Sequence, residues 1–241
     1  SRFNSRPRMI LKKEMSRENV IEGTKDQIDE RSTVKFHEIT DVFSEEFEEA
    51  MKIYVTSFPI NEQRPITIVK EMLVSGKNRL LVGEMTGRTV FMALLFPLQG
   101  TPILLGDYLA TAKGYRSCGI GKAFFRYILN EIASTPFKFF LIEIENPYID
   151  NDEMKMRRLR FYQSLGMKEL KGVRYILPPL QGTSSAELIL MVFSREEVSS
   201  LKGETVRDLI IRMFAQLYGR HNGDEFLMLT LQGVPDLVWL A

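Results

Sequence analysis

The residues best suited to hold a ligand form a glycine-rich turn in the middle of the chain. The run YRSCGIGKAFF, Tyr115–Phe125, follows a strand-like segment and opens an amphipathic helix. Amide N–H groups at such a turn, with those of the first helical turn, cluster at the positive end of the helix dipole. Gly119 and Gly121 let the backbone approach an anion without a Cβ in the way, and Arg116 and Lys122 add positive charge. The spacing predicts a pyrophosphate site, and a plain connecting turn is the alternative.

Two carboxylates interrupt an apolar run beyond this turn and are candidates for a general base. Glu143 and Glu145 lie in FFLIEIE, where lost hydration favours the protonated form of a carboxylate. Asp107, in ILLGDYLAT, is a second candidate and Glu84 a weaker third. The alternative for each is an exposed strand-end carboxylate or one paired with an arginine. A base that acts through a water molecule also remains open.

One tyrosine is a candidate general acid. Tyr162 lies near the end of the helical run RRLRFYQSLGM, and it is either an acid or a packed aromatic whose hydroxyl is hydrogen-bonded. Cys118 is expected to be a small packing residue rather than an acetylated nucleophile, because no histidine is near it in sequence. His37 and His221 are expected to be structural.

Alternating and helical patterns predict the elements that position these residues. Strands are predicted at 33–39, 79–85, 89–97, 102–111, 137–145, 173–177 and 187–193. Helices are predicted to start at Ser44 and at Pro65, and to cover 119–133, 152–165 and 195–218. The three strands before 111 suggest an antiparallel meander. The strand, turn, helix and strand that follow form a βαβ crossover, which predicts one parallel pair.

The overall composition favours an ordinary globular protein. Of 241 residues, 44% are hydrophobic and 26% are charged, and the formal net charge of +1 does not indicate nucleic acid or a membrane surface as partner. A single cysteine and two histidines do not favour a metal site. No apolar run is long enough to cross a bilayer. We therefore expect a cytoplasmic protein without a metal, and an organelle location after loss of a targeting segment is the alternative.

The chain divides into three predicted parts. Residues 1–32 are polar and unpatterned and are expected to form a flexible arm. Residues 33–194 carry the motifs. Residues 195–241, called here the C-terminal extension, are predicted to be helical with an apolar tail that includes Trp239. That tail is expected to be buried, either on the same domain or on a second copy, which would give a homodimer.

The order of these motifs resembles the GCN5-related N-acetyltransferase (GNAT) family over about residues 33–194. The shared features are an R-x-x-G-x-G turn between a strand and a helix, then a strand and a helix that ends F-Y-x-x-x-G. The run Leu109–Thr111 looks like the fourth strand of that family. The resemblance implies an α/β (α+β) fold whose mixed, mostly antiparallel sheet of about seven strands is flanked by helices. Its fourth and fifth strands are parallel but splayed.

The resemblance also implies acetyl-CoA as the acyl donor. The pantetheine arm would lie in the splayed gap, and Tyr162 would protonate the departing thiolate. Many members have an asparagine where this chain has Lys155, and an alanine is common where it has Arg158, so Asn146 is a candidate substitute. The residues implied in cofactor binding are Leu109, Ala110, Thr111, Arg116, Ser117, Cys118, Gly119, Ile120, Gly121, Lys122 and Asn146.

The implied activity is transfer of an acetyl group to an amine by direct attack in a ternary complex. The acceptor is a small-molecule amine or an amine of a peptide or protein. A non-catalytic acyl-CoA-binding sensor or partner-binding module is the alternative, and transfer of a longer acyl chain is a third reading. The segment 56–66 is expected to shape the acceptor site, where Arg64 either meets an acidic substrate group or is solvated.

Overall fold

The computed structural model describes residues 33–241, and the predicted flexible arm 1–32 lies outside the described residues. The strands are β1 (Lys35–Ile39), β2 (Arg79–Met85), β3 (Arg88–Leu98), β4 (Ile103–Thr111), β5 (Phe139–Glu145), β6 (Lys168–Glu169), β7 (Tyr175–Leu177), β8 (Ala186–Ser194), β9 (Ser200–Lys202) and β10 (Leu237–Trp239). The helices are α1 (Glu45–Ser57), α2 (Ile66–Val74), α3 (Ile120–Ala133), α4 (Glu153–Ser164), α5 (Gly203–Tyr218) and α6 (Glu225–Gln232).

The predicted mixed, mostly antiparallel sheet is confirmed. Its order is β1-β2-β3-β4-β5-β8-β6, with β7 also on β8, and within residues 33–241 only β4 and β5 pair in parallel. In this described part of the chain the sheet has eight strands rather than about seven, because the two-residue strand β6 carries too short a pattern to be read from sequence. Strands β9 and β10 form a separate antiparallel pair. Among the described residues no helix has the length and apolar character needed to cross a membrane.

Helices cover both faces of the sheet. On one face α3 and α4 pack on side chains such as Phe140 and Ile142. On the other, α1 and α2 pack on β2 and β3, while α5 and α6 pack on Leu141 and Leu190. Because β5 is buried on both faces, its sequence reads as a nearly continuous apolar run rather than an alternating one. A charged residue in this run therefore faces packed elements.

Local sequence signals fix several helix starts. Ser44 caps α1 by accepting from the Phe47 N–H, and Asp152 and Asp224 cap α4 and α6 in the same way. Gly119 precedes α3 with φ 77°, a left-handed conformation that glycine adopts without strain. The turn before α3 therefore depends on glycine at this position.

The C-terminal extension shares a hydrophobic core with the sheet. Val206, Ile210 and Phe214 of α5 are fully buried in the cluster that contains Leu141. The tail predicted as an apolar segment contains α6 and β10. Trp239, expected to be buried, is 58% exposed in this single chain, because side chains alternate along β10 and its neighbour Val238 takes the buried side.

Candidate active site

A bulge in β4 opens the gap between the two parallel strands. Pairing of β4 with β5 ends at Gly106 opposite Ile142. Gly106 and Tyr108 lie opposite consecutive residues of β3, so Asp107 between them is an extra residue. The bulge reverses the side-chain alternation of β4, and the strands separate from this point.

Glycine at 106 permits the close approach of the strands just before the gap. A Cβ at this position would lie 2.7 Å from Cζ of Phe140 and 3.1 Å from Cγ2 of Ile142. Side chains essentially never come so close, so a larger residue would push β4 from β5 earlier along the strand. The gap therefore begins at a defined residue.

A cavity of about 390 Å³ fills the space between the separated strands. Its walls come from β4 and β5, from the segment between α1 and α2, from α4 and from the last residue of α5. Half of the predicted site residues line it. Those that line it are Leu109, Ala110, Thr111, Arg116, Glu143, Glu145 and Tyr162.

The glycine-rich turn lies next to the cavity, which Arg116 lines. Ser117 and Gly119 have φ of 66° and 77°, and residues in this left-handed conformation arrange successive N–H groups into an anion-binding concavity. The N–H groups of residues 117–122 donate to no acceptor among the described residues. Residues 116–119 are exposed, while the Ile120 side chain is buried in the core, so only its main chain is free for a ligand. These observations fit a bound pyrophosphate.

Gly121 brings the start of α3 against α4. A Cβ on this glycine would lie 3.2 Å from Cζ of Phe161, which is tighter than most contacts of this kind. The turn that would hold the donor is therefore packed beside the helix that carries Tyr162. Both motifs found in the sequence meet at this contact.

Main-chain groups of β4 face the gap. The Ala112 N–H donates to the Val90 oxygen of the preceding strand segment at 2.8 Å. Since hydrogen-bonding direction alternates along a strand, the N–H and C=O groups of Leu109 and Thr111 point away from β3 and into the gap. Arg116 folds back over the strand end, with its Nε donating to the Thr111 oxygen at 3.3 Å. The unpaired strand edge is thus available to an extended ligand.

Tyr162 lies on α4 with its hydroxyl free. The side chain is partly buried against the core that contains α3, and it lines the cavity. No hydrogen-bond partner for its hydroxyl is found within residues 33–241. Burial raises the Tyr162 pKa, and the Arg158 charge opposes that effect. The hydroxyl therefore stays protonated and can donate to a ligand.

Glu143 is the carboxylate whose proton affinity suits a base at neutral pH. Burial raises its pKa to about 7, and the nearby Asp107 charge adds to the rise. The Tyr218 hydroxyl donates to Glu143 Oε1 at 3.2 Å, and the Tyr175 hydroxyl lies 3.1 Å from that of Tyr218. These hydroxyls, with Arg64, lower the pKa and limit the rise. Glu143 thus changes its charge near pH 7.

Asp107 faces Glu143 across the gap and is held by a buried arginine. Arg64 Nη1 donates to Asp107 Oδ2 at 2.5 Å, and both side chains are almost fully buried. The Arg64 Cζ lies 5.4 Å from the Tyr108 ring centroid and 5.8 Å from that of Tyr218. Arg64 Nε and Nη2 are buried and have no hydrogen-bond partner among residues 33–241, and the aromatic rings offset part of that cost. One of the two sequence interpretations had Arg64 solvated, and its burial shows that this interpretation is wrong.

Glu145 is paired rather than free. Its carboxylate contacts the guanidinium of Arg158 at the cavity wall, and both side chains are partly exposed. Glu62, on the short turn between α1 and α2, also lines the cavity and is close enough to Glu145 for the two charges to interact. Burial raises the Glu62 pKa, the Glu145 charge raises it further, and Arg158 and Lys155 lower it.

Asn146 is not brought to the cavity. Its side-chain amide donates to Glu187 Oε1 at 2.8 Å and its oxygen accepts from the Tyr148 N–H at 2.9 Å. Both ends of the amide therefore have protein partners, and the residue does not line the gap. The prediction that Asn146 contacts the cofactor has no support in this geometry.

Three further residues singled out in the sequence lie apart from the cavity lining. Glu84 and His37 form, with Glu46, a group whose ligand atoms all lie within 4.8 Å of one another. In it His37 Nε2 is 3.0 Å from Glu46 Oε1, which is an ordinary hydrogen bond between partly exposed side chains. Cys118 is exposed in the turn rather than packed, with its Sγ 3.7 Å from the Arg116 oxygen. The sequence expectation that Cys118 is a packing residue is wrong.

Sequence reasoning missed two residues of the cavity, Tyr218 and Glu62, and the tyrosine behind them. Tyr218 contacts Glu143 from α5, Tyr175 of β7 contacts Tyr218, and Glu62 comes from the turn between α1 and α2. Tyr218 follows the helical spacing of α5, but the sequence gives no sign that this helix ends at the gap. The signal for Glu62 is weak, since it is an isolated acid in a polar segment.

Comparison with known proteins finds similarity of structure alone. A putative acetyltransferase of the GNAT family from Bacteroides thetaiotaomicron superposes with TM-score 0.64 at 22% identity, covering 77% of this chain and 99% of that one. The Escherichia coli ribosomal-protein-S18-alanine N-acetyltransferase gives TM-score 0.51 at 14% identity, covering 69% and 96%. An aminoglycoside 6'-N-acetyltransferase complexed with coenzyme A superposes with TM-score 0.51 at 16% identity, covering 68% of this chain and 98% of that one. No family model matches the sequence, and no curated protein matches it significantly.

Proposed function

We propose that this chain, which has the fold of the GNAT acetyltransferases, transfers an acetyl group from acetyl-CoA to an amine by direct attack in a ternary complex. The observation that carries the proposal is the gap between β4 and β5, which both Arg116 and Glu143 line. The free amides after Arg116 suit the pyrophosphate of the donor, and the unpaired strand edge suits its pantetheine arm. Glu143, a carboxylate that can take a proton, lies along the same gap.

Glu143 is the base in this proposal. An alkylamine has a pKa of about 10.4 and is mostly protonated at pH 7, so it must lose a proton before it attacks. A base works best when its pKa lies near the working pH, and that of Glu143 is about 7. The amine proton passes to Glu143, and the nitrogen lone pair forms a bond to the thioester carbon. Glu145 is the weaker candidate because Arg158 already holds it.

Tyr162 completes the proton balance. As the carbon–sulfur bond breaks, the leaving thiolate takes the Tyr162 hydroxyl proton, which the free hydroxyl is able to give. Main-chain N–H groups at Leu109 and Thr111 hold the donor along the strand edge. Such positioning of two reactants supplies a large share of the rate in transfer reactions.

Charge in the cavity favours a cationic acceptor. Glu62 and Glu143 have no cationic partner at ion-pair distance within the described part of the chain, whereas Asp107 and Glu145 are each paired with an arginine. Two uncompensated carboxylates attract an ammonium group and disfavour an acidic substrate. This supports an amine rather than a carboxylate or phosphate acceptor.

Release of coenzyme A in the presence of amines tests the proposal. The panel contains an aminoglycoside, a peptide that begins with alanine, a lysine-containing peptide and spermidine. We expect release of the thiol above the rate of hydrolysis with at least one amine. Tight acetyl-CoA binding without transfer to any of them would contradict the proposal and favour a non-catalytic acyl-CoA-binding module.

Glu143→Gln tests the assignment of the base within the same assay. Loss of a general base costs about 10²–10⁴-fold in rate, and we expect kcat/KM to fall within that range while the Kd of acetyl-CoA stays unchanged. The matched control is Glu196→Gln, on a side chain that is 78% exposed, which should leave both values unchanged. A variant as active as the wild type would transfer the role to Glu145 or to a water molecule.

A further inference from the structure

A tyrosine from the C-terminal extension contacts Glu143 directly and is linked to Asp107 through Arg64. Tyr218 is the last residue of α5, and its hydroxyl donates to Glu143 Oε1 at 3.2 Å. Its ring lies beside the guanidinium of Arg64, whose Nη1 holds Asp107. One side chain outside the region of family resemblance therefore connects the two opposed acids.

The direction of the hydrogen bonds follows from the number of protons available. An ionised carboxylate only accepts, so the single hydroxyl proton of Tyr218 goes to Glu143. The Tyr218 oxygen then accepts from Tyr175, whose hydroxyl lies 3.1 Å away. Tyr175 is fully buried, so this donor has no water to compete for it. The chain Tyr175 to Tyr218 to Glu143 thus has one consistent polarity.

Packing fixes the Tyr218 ring in this position. Phe214, one turn earlier on α5, is fully buried and meets the Tyr218 and Tyr175 rings edge-on, with centroids 5.5 and 5.7 Å apart. Gly219 follows with φ 64° and ends the helix directly after Tyr218. A locked ring presents its hydroxyl at a constant place, which is what a positioning residue needs.

We propose that Tyr218 is a positioning residue for Glu143: its hydroxyl, oriented by Tyr175, holds the Glu143 carboxylate at the gap in its charged form, so the C-terminal extension completes the active site. The inference rests on the proposed function only where Glu143 is called the base. The contacts themselves do not depend on it.

Four groups from separate parts of the chain act on the charge of Glu143. Asp107 of β4 raises the Glu143 pKa, while Tyr175 of β7, Tyr218 of α5 and Arg64, two residues before α2, lower it. Burial is the largest effect and raises it. Removing the Tyr218 hydroxyl takes away a stabiliser of the charged form. The midpoint of the Glu143 titration should therefore rise.

A direct titration measures this effect without any acceptor. Carboxyl ¹³C resonances of glutamate-labelled protein are followed against pH, and the Glu143 signal is identified by its loss in Glu143→Gln. We expect the Glu143 midpoint to rise by about one pH unit in Tyr218→Phe, because a hydrogen bond to a charged group is lost. Tyr175→Phe should give a smaller rise. Tyr127 of α3 does not line the cavity, so Tyr127→Phe should leave the Glu143 midpoint unchanged.

The transfer assay provides a second readout that separates two failures. In Tyr218→Phe the acidic limb of the plot of kcat/KM against pH should shift to higher pH by the same amount as the ¹³C midpoint of Glu143. Activity should recover at high pH, and the Kd of acetyl-CoA should not change. If the wild type is active and the acidic limb of Tyr218→Phe lies at the same pH as that of the wild type, the positioning role is overturned and the proposed function stands. A shifted ¹³C midpoint in a protein that transfers to no amine overturns the proposed function alone.

Tyr175→Phe keeps the test decisive if Tyr218→Phe does not fold. In that variant Tyr218 still contacts Glu143, but its hydroxyl has lost its donor. A rise of the Glu143 midpoint supports the network of Tyr175 and Tyr218 hydroxyls that stabilises the charged carboxylate. A midpoint equal to that of the wild type overturns the inference.

Discussion

Replacing Arg64 by methionine would leave the Asp107 carboxylate buried without its cation. The two side chains are 5% and 4% exposed, with 2.5 Å between Nη1 and Oδ2. Removing one partner of such a pair costs about 3–5 kcal/mol of folding free energy, because an uncompensated charge remains away from water. For a chain of this size, about 1 kcal/mol corresponds to 2–4 °C, so we expect Tm to fall by about 6–20 °C.

Two further variants make this prediction specific to the buried pair. Arg79→Met removes the cation that pairs with Glu38 and Glu131, where the side chains are 29–37% exposed, and should cost less than about 1 kcal/mol. The double variant Arg64→Met/Asp107→Leu removes both buried charges and should recover most of the loss. Urea unfolding followed by far-UV circular dichroism measures all three.

The pH dependence of the Arg64→Met variant has a defined sign. Burial already raises the Asp107 pKa in the wild type while Arg64 opposes it, so the variant raises it further above its unfolded value. A folded state that binds a proton more tightly than the unfolded state gains stability as pH falls. The penalty should therefore be full above the folded pKa of Asp107 and shrink as pH drops through it. A double variant as unstable as the single one, or a penalty independent of pH, would refute this reasoning.

Three other predictions concern the gap and the groups that line it. Tyr162→Phe should lower kcat by about 10–10²-fold without changing the Kd of acetyl-CoA, and an unchanged kcat would remove Tyr162 from the mechanism. Gly106→Ala should destabilise the fold by about 1–3 kcal/mol, because the new Cβ would lie 2.7 Å from Cζ of Phe140, whereas Gly114→Ala meets nothing within 4 Å and should be neutral in urea unfolding. For the wild type, kcat/KM should fall tenfold per pH unit well below pH 7, since Glu143 must be ionised, and a flat profile between pH 5 and 7 would contradict the assignment.

Features encoded by neighbouring residues could be predicted from the sequence. The turn before α3 depends on glycines within a few residues of one another, and its free amides follow from where the helix begins. The apolar run of β5 marked Glu143 as a carboxylate in unusual surroundings. The parallel pairing of β4 with β5 followed from the order of strand, helix and strand.

Features that depend on distant parts of the chain could not be predicted. The pairs that define the site join residues 43 apart for Arg64 and Asp107, and 75 apart for Glu143 and Tyr218. No local pattern reports which arginine finds which acid once the sheet has formed. The bulge at Asp107 was also hidden, because one extra residue in a strand changes pairing without leaving a gap in the apolar pattern.

A titration of the ¹⁵N-labelled protein with acetyl-CoA, followed by amide NMR, tests the central claim most directly. We predict that the largest changes fall on the amides of residues 117–122 and on Leu109 and Thr111, which have free N–H groups at the turn and along the gap. Amides of α6, which does not line the cavity, should be unaffected. Binding that leaves residues 117–122 unchanged and perturbs another surface would contradict the account.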